Sequence, residues 1–428
     1  MDNTLELFKT ITRDERQELC RQTWIKNKCC GTIVAPTGLG KTRIAFNSIK
    51  SVLSKYPEFR VLVVVPTETL QNQWQKQIDD NGLVFNVEVY VINTVIKHNW
   101  NCSILIIDEC HRYASNDFSK IFEKVNYKYI LGLTATFERL DGKEHIISKY
   151  CPVIDTITTE EALFNGWISK FVEYRVLIDV EDIDTYKQYN KEFTEHFEFF
   201  GFDFNLAMKM VGKDGYKYRL AYRDKLCSSN ATDKEKSQML RNITYHAMGF
   251  MQVIQKRKAF INNHPKKIEI AKKIIEARRD KKIITFSNNV KMAEAIGYGE
   301  VYTGKTSKKR GTKMITAFNR CKSGVINSCQ KANEGLDIDG LSVAIILGTD
   351  SSKIKAVQRR GRAIRFKPDK TAEIFNIIIN NTVENEWFSN AHKGEQYITI
   401  DEANLDRILN NESFETYKKP IQKLIFRF

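Results

Sequence analysis

The chain has 428 residues, 42% of them hydrophobic and 28% charged, with a formal net charge of +15. That length predicts two or three domains with ample core. The composition excludes a disordered chain, and no apolar run is long enough for a membrane span. The positive balance points to a polyanionic partner, most simply nucleic acid, or else to a solvated basic surface.

Met1-Asp2-Asn3-Thr4 lacks the basic region and apolar core of a signal peptide. Nine cysteines include adjacent Cys29 and Cys30, but none forms a C-x-x-C pair and no His cluster has zinc spacing. A reducing cytosol and no structural metal are therefore expected. Asp14 to Lys26 reads as an amphipathic helix carrying Leu19, Trp24 and Ile25. Only this short segment precedes the first strand, so no separate N-terminal domain is expected.

Thr32-Ile33-Val34 leads into Ala35-Pro36-Thr37-Gly38-Leu39-Gly40-Lys41-Thr42, and Arg43 to Leu53 leaves it as a helix. Strand, glycine-bearing loop and helix are the context a P-loop needs. Backbone amides around Thr37, Gly38 and Gly40 would cradle phosphates. Lys41 would reach the β/γ-phosphates and the Thr42 hydroxyl would ligate Mg²⁺, which makes ATP and Mg²⁺ the implied cofactors. Ala35 stands where the usual pattern has its first glycine, so a fortuitous loop is the alternative that the flanking elements oppose.

Apolar runs then alternate with helical stretches. Val61 to Val65 ends at Pro66-Thr67, and Leu70 to Ile78 reads as a helix. Val87 to Ile92 is β-rich. Ile104 to Ile107 ends in Asp108-Glu109-Cys110-His111, and Tyr129 to Leu133 ends in Thr134-Ala135-Thr136. Continuous apolar strands separated by helices indicate a parallel sheet covered on both faces. Polar groups gather at the strand ends, where such sheets bind ligands.

An acid ending a strand near a P-loop is the Walker B arrangement. Asp108 would hold Mg²⁺, Glu109 would orient and deprotonate water, and His111 would sense the γ-phosphate. An exposed acidic strand end is the alternative. These features place a first domain at 1–170. Residues 151–181 give short β-rich pieces ending in Phe171 to Val180; 171–265 read as a linker and helical insertion, with Gly212 to Asn230 as a mobile polar loop. In it Phe193, Phe197, Phe199, Phe200, Phe202 and Phe204 cluster. The core of a helical hairpin is the preferred reading, an aromatic wedge that stacks on bases the sharper one.

Alternation resumes over 266–380, a second α/β domain. Lys266 to Arg279 is a helix, and Lys282 to Phe286, Val343 to Leu347 and Ala372 to Ile379 are strands. Residues 381–428 read as a mixed tail with a helix near Asn404–Leu409. Gln358-Arg359-Arg360-Gly361-Arg362-Ala363-Ile364-Arg365 is the third carrier of chemistry. Arg362 and Arg365, three apart, share a face on a helix. Two guanidinium forks there would clamp a γ-phosphoryl group supplied by the other domain, unless the stretch is a solvated basic helix. Lys305-Thr306-Ser307-Lys308-Lys309-Arg310 has no acid and suits phosphates, or is a solvated loop.

APTGLGKT, DECH, TAT and QRRGRAIR, in this order, resemble motifs I, II, III and VI of the superfamily 2 helicases. Val61 to Thr67 resembles motif Ia, Ile283 to Ser287 motif IV, and Asn333 to Asp337 motif V. Leu131 to Arg139 resembles the XPB-like, UvsW-like branch, where proline usually stands in place of Phe137. The resemblance covers roughly residues 13–380. It implies two RecA-like parallel-sheet domains, α/β and of the P-loop NTPase kind, with a helical insertion. Gln17 would read adenine, Gly335 and Asp337 would touch the nucleotide, and Gln358, Arg362 and Arg365 would act in catalysis. Pro66, Thr67, Thr94, Ser287, Arg310 and Ser328 would touch nucleic acid. The family implies an ATP-dependent DNA helicase, translocating 3′→5′ on single-stranded, forked or branched DNA in replication, recombination or repair. It would be monomeric and cytoplasmic (in a host cytoplasm if phage-encoded), meeting replication or recombination proteins. An RNA helicase, a double-strand translocase that does not unwind, and a catalytically idle scaffold are the alternatives. Cys110 departs from the usual motif II and should leave catalysis intact, because its neighbours carry the roles.

Overall fold

The computed structural model describes residues 10–139, 141–329, 338–349 and 371–413. Its first sheet is six-stranded and parallel: β1 (Cys30–Val34), β2 (Val61–Val65), β3 (Val87–Val91), β4 (Trp100–Asp108), β5 (Val125–Thr134) and β6 (Val153–Thr156). The order is β3-β2-β4-β5-β1-β6. Every residue of β2 is buried, which is why its sequence shows no alternation. Helices α1 (Arg13–Lys26), α2 (Lys41–Leu53), α3 (Glu68–Asp80), α4 (Ile92–Val95), α5 (Ile121–Lys124), α6 (Glu144–Ser148) and α7 (Thr159–Phe164) accompany it.

Helix α1 starts at a capping box between Thr12 and Glu15, which satisfies two of its free amide donors. Its Trp24 indole donates to the Ile130 carbonyl at 2.9 Å. Arg16 forks onto both carboxylate oxygens of Asp155 at 2.8 Å and onto Glu161 at 2.7 Å. These partly buried, bidentate contacts fix α1 against the sheet far more firmly than a surface ion pair would.

Strand β7 (Lys170–Ile178) leads into α8 (Ile183–Glu198), α9 (Phe204–Val211), α10 (Gly215–Leu226) and α11 (Asp233–Asn263), and α12 (Pro265–Ala277) returns the chain to a second sheet. There β8 (Lys282–Ser287), β9 (Glu300–Tyr302), β10 (Gly324–Cys329), β11 (Val343–Ile346), β12 (Thr371–Ile379) and β13 (Ile398–Ile400) join β7 in the order β13-β7-β12-β11-β8-β10-β9, all parallel. Helices α13 (Val290–Ala295), α14 (Lys308–Arg320), Glu384–Ala391 and Glu402–Leu409 flank it. Two parallel α/β domains with a helical insertion are the RecA-like pair expected.

Three local readings change. Residues 170–178 are a strand of the second sheet, paired along their whole length with 371–379, not part of a linker. The described part of the tail belongs to the same domain, because Ile398–Ile400 pairs with β7. Within the expected mobile loop, 215–226 is the helix α10.

Four of the six phenylalanines, Phe193, Phe197, Phe199 and Phe200, belong to the hairpin core. Phe193, Phe197 and Phe200 are buried with Phe250 of α11. Phe199 is half-buried and stacks on His246 at 4.1 Å between ring centroids. Phe202 and Phe204 are exposed instead, at 42% and 49%. Phe200→Ala should therefore destabilise the protein by about 3–5 kcal/mol, read as a lowered melting temperature. Phe202→Ala should move it much less; equal shifts would contradict this packing.

Candidate functional site

The P-loop joins the end of β1 to the start of α2. Gly38 and Gly40 have φ of 93° and 94°, a left-handed backbone that glycine adopts without steric cost. At Gly40 a side chain has no room either: a Cβ would lie 2.7 Å from the Gln17 Nε2. Helix α2 has no side-chain cap at Gly40 and no acid in its first turn. Its N-terminal amides are left for an anion, which the helix dipole also favours. Lys41 and Thr42 open the helix, and the Lys41 ammonium donates to the Ala35 carbonyl at 3.3 Å. Thr37 lies in the turn before them.

Gln17, fully buried on α1, ties this loop from outside the motif. Its Nε2 donates to the Leu39 carbonyl at 2.7 Å, and Arg13 Nε donates to the same oxygen at 3.0 Å. Its Oε1 is buried without a partner. An orphaned buried acceptor is costly and calls for a donor, such as the exocyclic amine of adenine.

Asp108 ends β4 beside the loop. Glu109 N–H donates to Oδ1 at 2.9 Å, and the Trp74 indole N–H of α3 donates to Oδ2 at 2.9 Å. Burial, then the neighbouring Glu109, pushes its carboxyl up to about 6, and a cation bound there would favour the ionised form. Glu109 itself sits at φ 50°, a strained position for a non-glycine residue that costs on the order of 1 kcal/mol or more. The bend sets its Oε2 3.5 Å from His111 Nδ1.

His111 is 2% exposed. Burial, reinforced by Arg112, Arg139 and Lys41, lowers its pKa to about 3, so the ring is neutral. Thr134 Oγ1 donates to the Thr136 carbonyl at 2.7 Å and meets His111 Nδ1 at 2.8 Å. The hydroxyl proton is thus spent, and Nδ1 must be the donor. Nε2 is then a bare acceptor, and it is buried without a partner, as is Glu109 Oε2. Each is an acceptor without a donor, which the O–H group of a water molecule would supply. Cys110 points the other way, fully buried in the core with Cys151 nearby, and burial pushes its thiol well up. It takes no part in this face of the site.

The arrangement fits ATP with Mg²⁺. Thr42 and Asp108 would hold the cation, which supplies charge to the phosphoryl oxygens. Lys41 and the α2 amides would hold phosphates, and Gln17 the base. Among the described residues no three His, Cys, Asp or Glu side chains could hold a metal by themselves. Gly335, Asp337, Gln358, Arg362 and Arg365 lie outside the described residues.

The candidate nucleic-acid residues fall at strand ends and on short connections and helix starts of both domains. Pro66 and Thr67 follow β2, with Thr67 capping α3, and Thr94 is exposed on α4. Arg310 is exposed in the first turn of α14, which Ser307 caps, so the basic run becomes a helix start. Ser287 and Ser328 lie on neighbouring strands but are buried, at 2% and 1% exposed. The single Ser287 hydroxyl proton lies within reach of the Asn289 and Ser328 carbonyls, at 3.0 and 3.2 Å, and Ser328 Oγ has no partner among the described residues. A cavity of about 410 Å³ beside Pro36, Ala135 and Thr136 is also lined by Gly394 and Glu395, residues the sequence did not single out.

Two family models match: "Helicase conserved C-terminal domain" over residues 266–367, and "Type III restriction enzyme, res subunit" over 2–97 and 85–139. The DNA 3′-5′ translocase XPB2 of Sulfurisphaera tokodaii is 28% identical over 397 residues, covering 88% of this chain and 83% of that protein. Protein L396 of Acanthamoeba polyphaga mimivirus, which carries the name of an ATP-dependent RNA helicase, is 25% identical over 90% of this chain and 66% of its own length. Among solved structures, S. cerevisiae Dbp5 bound to RNA and ADP BeF3 superposes with a TM-score of 0.57 at 11% identity, covering 92% of this chain and 91% of that one. That likeness concerns the fold.

Proposed function

We propose that this ATP-hydrolysing nucleic-acid helicase, which the helicase-domain matches and the likeness to XPB2 support as a member of the XPB-like branch of superfamily 2, has DNA as its track, followed 3′→5′, and that it unwinds or branch-migrates forks and junctions. The observation that carries the enzymatic reading is the set of buried, unpartnered atoms at one site: Gln17 Oε1, Glu109 Oε2 and His111 Nε2. Native proteins rarely leave such groups unsatisfied, and a bound ligand with its water would complete all three. Glu109 takes the proton of the attacking water, and neutral His111 helps to orient it. Lys41 offsets phosphate charge, and the resemblance gives Arg362 and Arg365 the role of supplying further charge to the γ-phosphoryl group. DNA is supported by the likeness to a DNA translocase over most of both chains.

ATPase stimulation by single-stranded DNA, duplex, forks, Holliday junctions and RNA, with strand separation on the same panel, tests the proposal. Stimulation by RNA alone would replace DNA as the track. Turnover on duplex without strand separation would make the protein a translocase that does not unwind.

The +15 charge and exposed Arg310 predict several phosphate contacts. Affinity for single strands should fall with salt at a log–log slope of about −0.7 per phosphate neutralised. Arg310→Ala should reduce that slope by about one contact. Fluorescence anisotropy at stepped salt concentrations reads both, and a salt-independent affinity would contradict the phosphate-binding model.

A further inference from the structure

Trp74 lies outside every motif assigned above, yet it touches both sides of the nucleotide site. Its indole is 1% exposed. One edge donates to Asp108 Oδ2 at 2.9 Å. One face stacks on Phe46, with ring centroids 5.2 Å apart and an interplanar angle of 28°. Phe46 belongs to α2, the helix that Lys41 and Thr42 open. The indole is therefore a spacer between the Thr42 helix and the Asp108 carboxylate.

The chemistry explains why a spacer matters. A carboxylate on a single bond turns freely about its last torsion. Asp108 does not, because each oxygen already accepts one N–H, from Glu109 and from Trp74. One acceptor site on each oxygen remains for the cation or its waters. Mg²⁺ tolerates little departure from octahedral geometry at short distances, so misplacing one ligand weakens the site steeply. Phenylalanine at this position would keep most of the packing and lose the N–H.

We propose that Trp74 is a positioning residue for magnesium-dependent nucleotide binding: it fixes the Asp108 carboxylate and sets its distance from Thr42. This rests on the reading that Thr42 and Asp108 hold Mg²⁺. Trp74 also lies seven residues, about two helical turns, after Thr67, the cap of α3 and a candidate nucleic-acid contact. The spacer thus belongs to the helix that starts at the track.

The test measures binding of a non-hydrolysable ATP analogue by calorimetry, with Mg²⁺ and with EDTA. The readout is the ratio of the two affinities. In Trp74→Phe the Mg²⁺-dependent gain should shrink by about tenfold, the usual worth of a hydrogen bond to a charged group. Affinity in EDTA should stay within about twofold, because Lys41, Gln17 and the α2 amides are untouched. Asp108→Asn should remove the gain, and adding Trp74→Phe to it should change nothing further, the non-additivity of coupled groups. Should the phenylalanine variant fail to fold, replacing the indole by benzothiophene keeps the shape and deletes only the N–H. An unchanged ratio in either Trp74 variant overturns the proposal while leaving the site reading intact. A wild-type protein that gains nothing from Mg²⁺ overturns both.

Discussion

Glu109→Gln should bind ATP and turn it over about 10²–10⁴-fold more slowly, the usual worth of a positioned general base. The substitution keeps the size of the side chain and leaves backbone requirements unchanged at a residue whose φ is 50°. What it removes is basicity. An amide cannot take a proton from water, and its carbonyl oxygen carries no charge to face the His111 Nδ1–H, where the carboxylate oxygen now lies at 3.5 Å. Lys41→Ala should stop turnover by a different route, by withdrawing charge from the β/γ-phosphates, and should weaken ATP binding as well. Steady-state ATPase with saturating DNA, beside nucleotide binding, separates the two. Near-normal turnover in either folded variant would remove Glu109 and Lys41 from the catalytic site.

Arg365→Ala is expected to be the second large loss. Lys41, Asp108 and Glu109 belong to the first sheet and its connections, and none of them supplies a planar fork for the equatorial oxygens of the γ-phosphoryl group. An arginine in that role is worth roughly 10³–10⁵ in rate, far above the roughly 0–1 kcal/mol of a surface ion pair. DNA-stimulated turnover should fall by orders of magnitude with both domains folded, as a melting curve would show. ATP binding should survive better, since the first domain supplies most ground-state contacts. Lysine at 365 should rescue poorly, because a point charge cannot replace two parallel N–H donors. Normal turnover in Arg365→Ala would leave that stretch without a catalytic role.

The parts of this site that are local in sequence were legible as sequence. β4 announces itself by Ile104 to Ile107 followed by two acids, and the P-loop by glycines between a strand and a helix. Trp74 was not legible. On a helix with apolar residues at Leu70, Trp74 and Ile78, it reads as ordinary core, and only the fold sets its N–H against an acid 34 residues away. β7 was legible as a β-rich stretch, Phe171 to Val180, but not as part of the second sheet: its partner strand is about 200 residues downstream, so its place depends on topology rather than pattern. α10 escaped because Gly215 to Leu226 interleaves tyrosines with charges and shows no single apolar stripe. Packing of α9 and α11 against it decides its structure, an instance of tertiary context overriding local preference. The buried Ser287 and Ser328 show the converse, since sequence position alone does not say whether a hydroxyl faces solvent or a neighbouring strand.

The helical insertion leaves the second sheet after β7 and re-enters it before β8, and its two ends meet. Asp182 and His264, which precede α8 and α12, are joined at 2.9 Å; Tyr186 and Phe260 pack at 5.4 Å just inside them. The 81 residues from Ile183 to Asn263 thus hang from one knot, and the parallel sheet registers on either side without them. Loop-closure entropy grows only logarithmically with length, so such a site tolerates exchange of its contents. In evolutionary terms the motor is a chassis with a socket. Helices of a different length, or with a different surface, can be installed between Asp182 and His264 without re-tooling the engine that burns ATP.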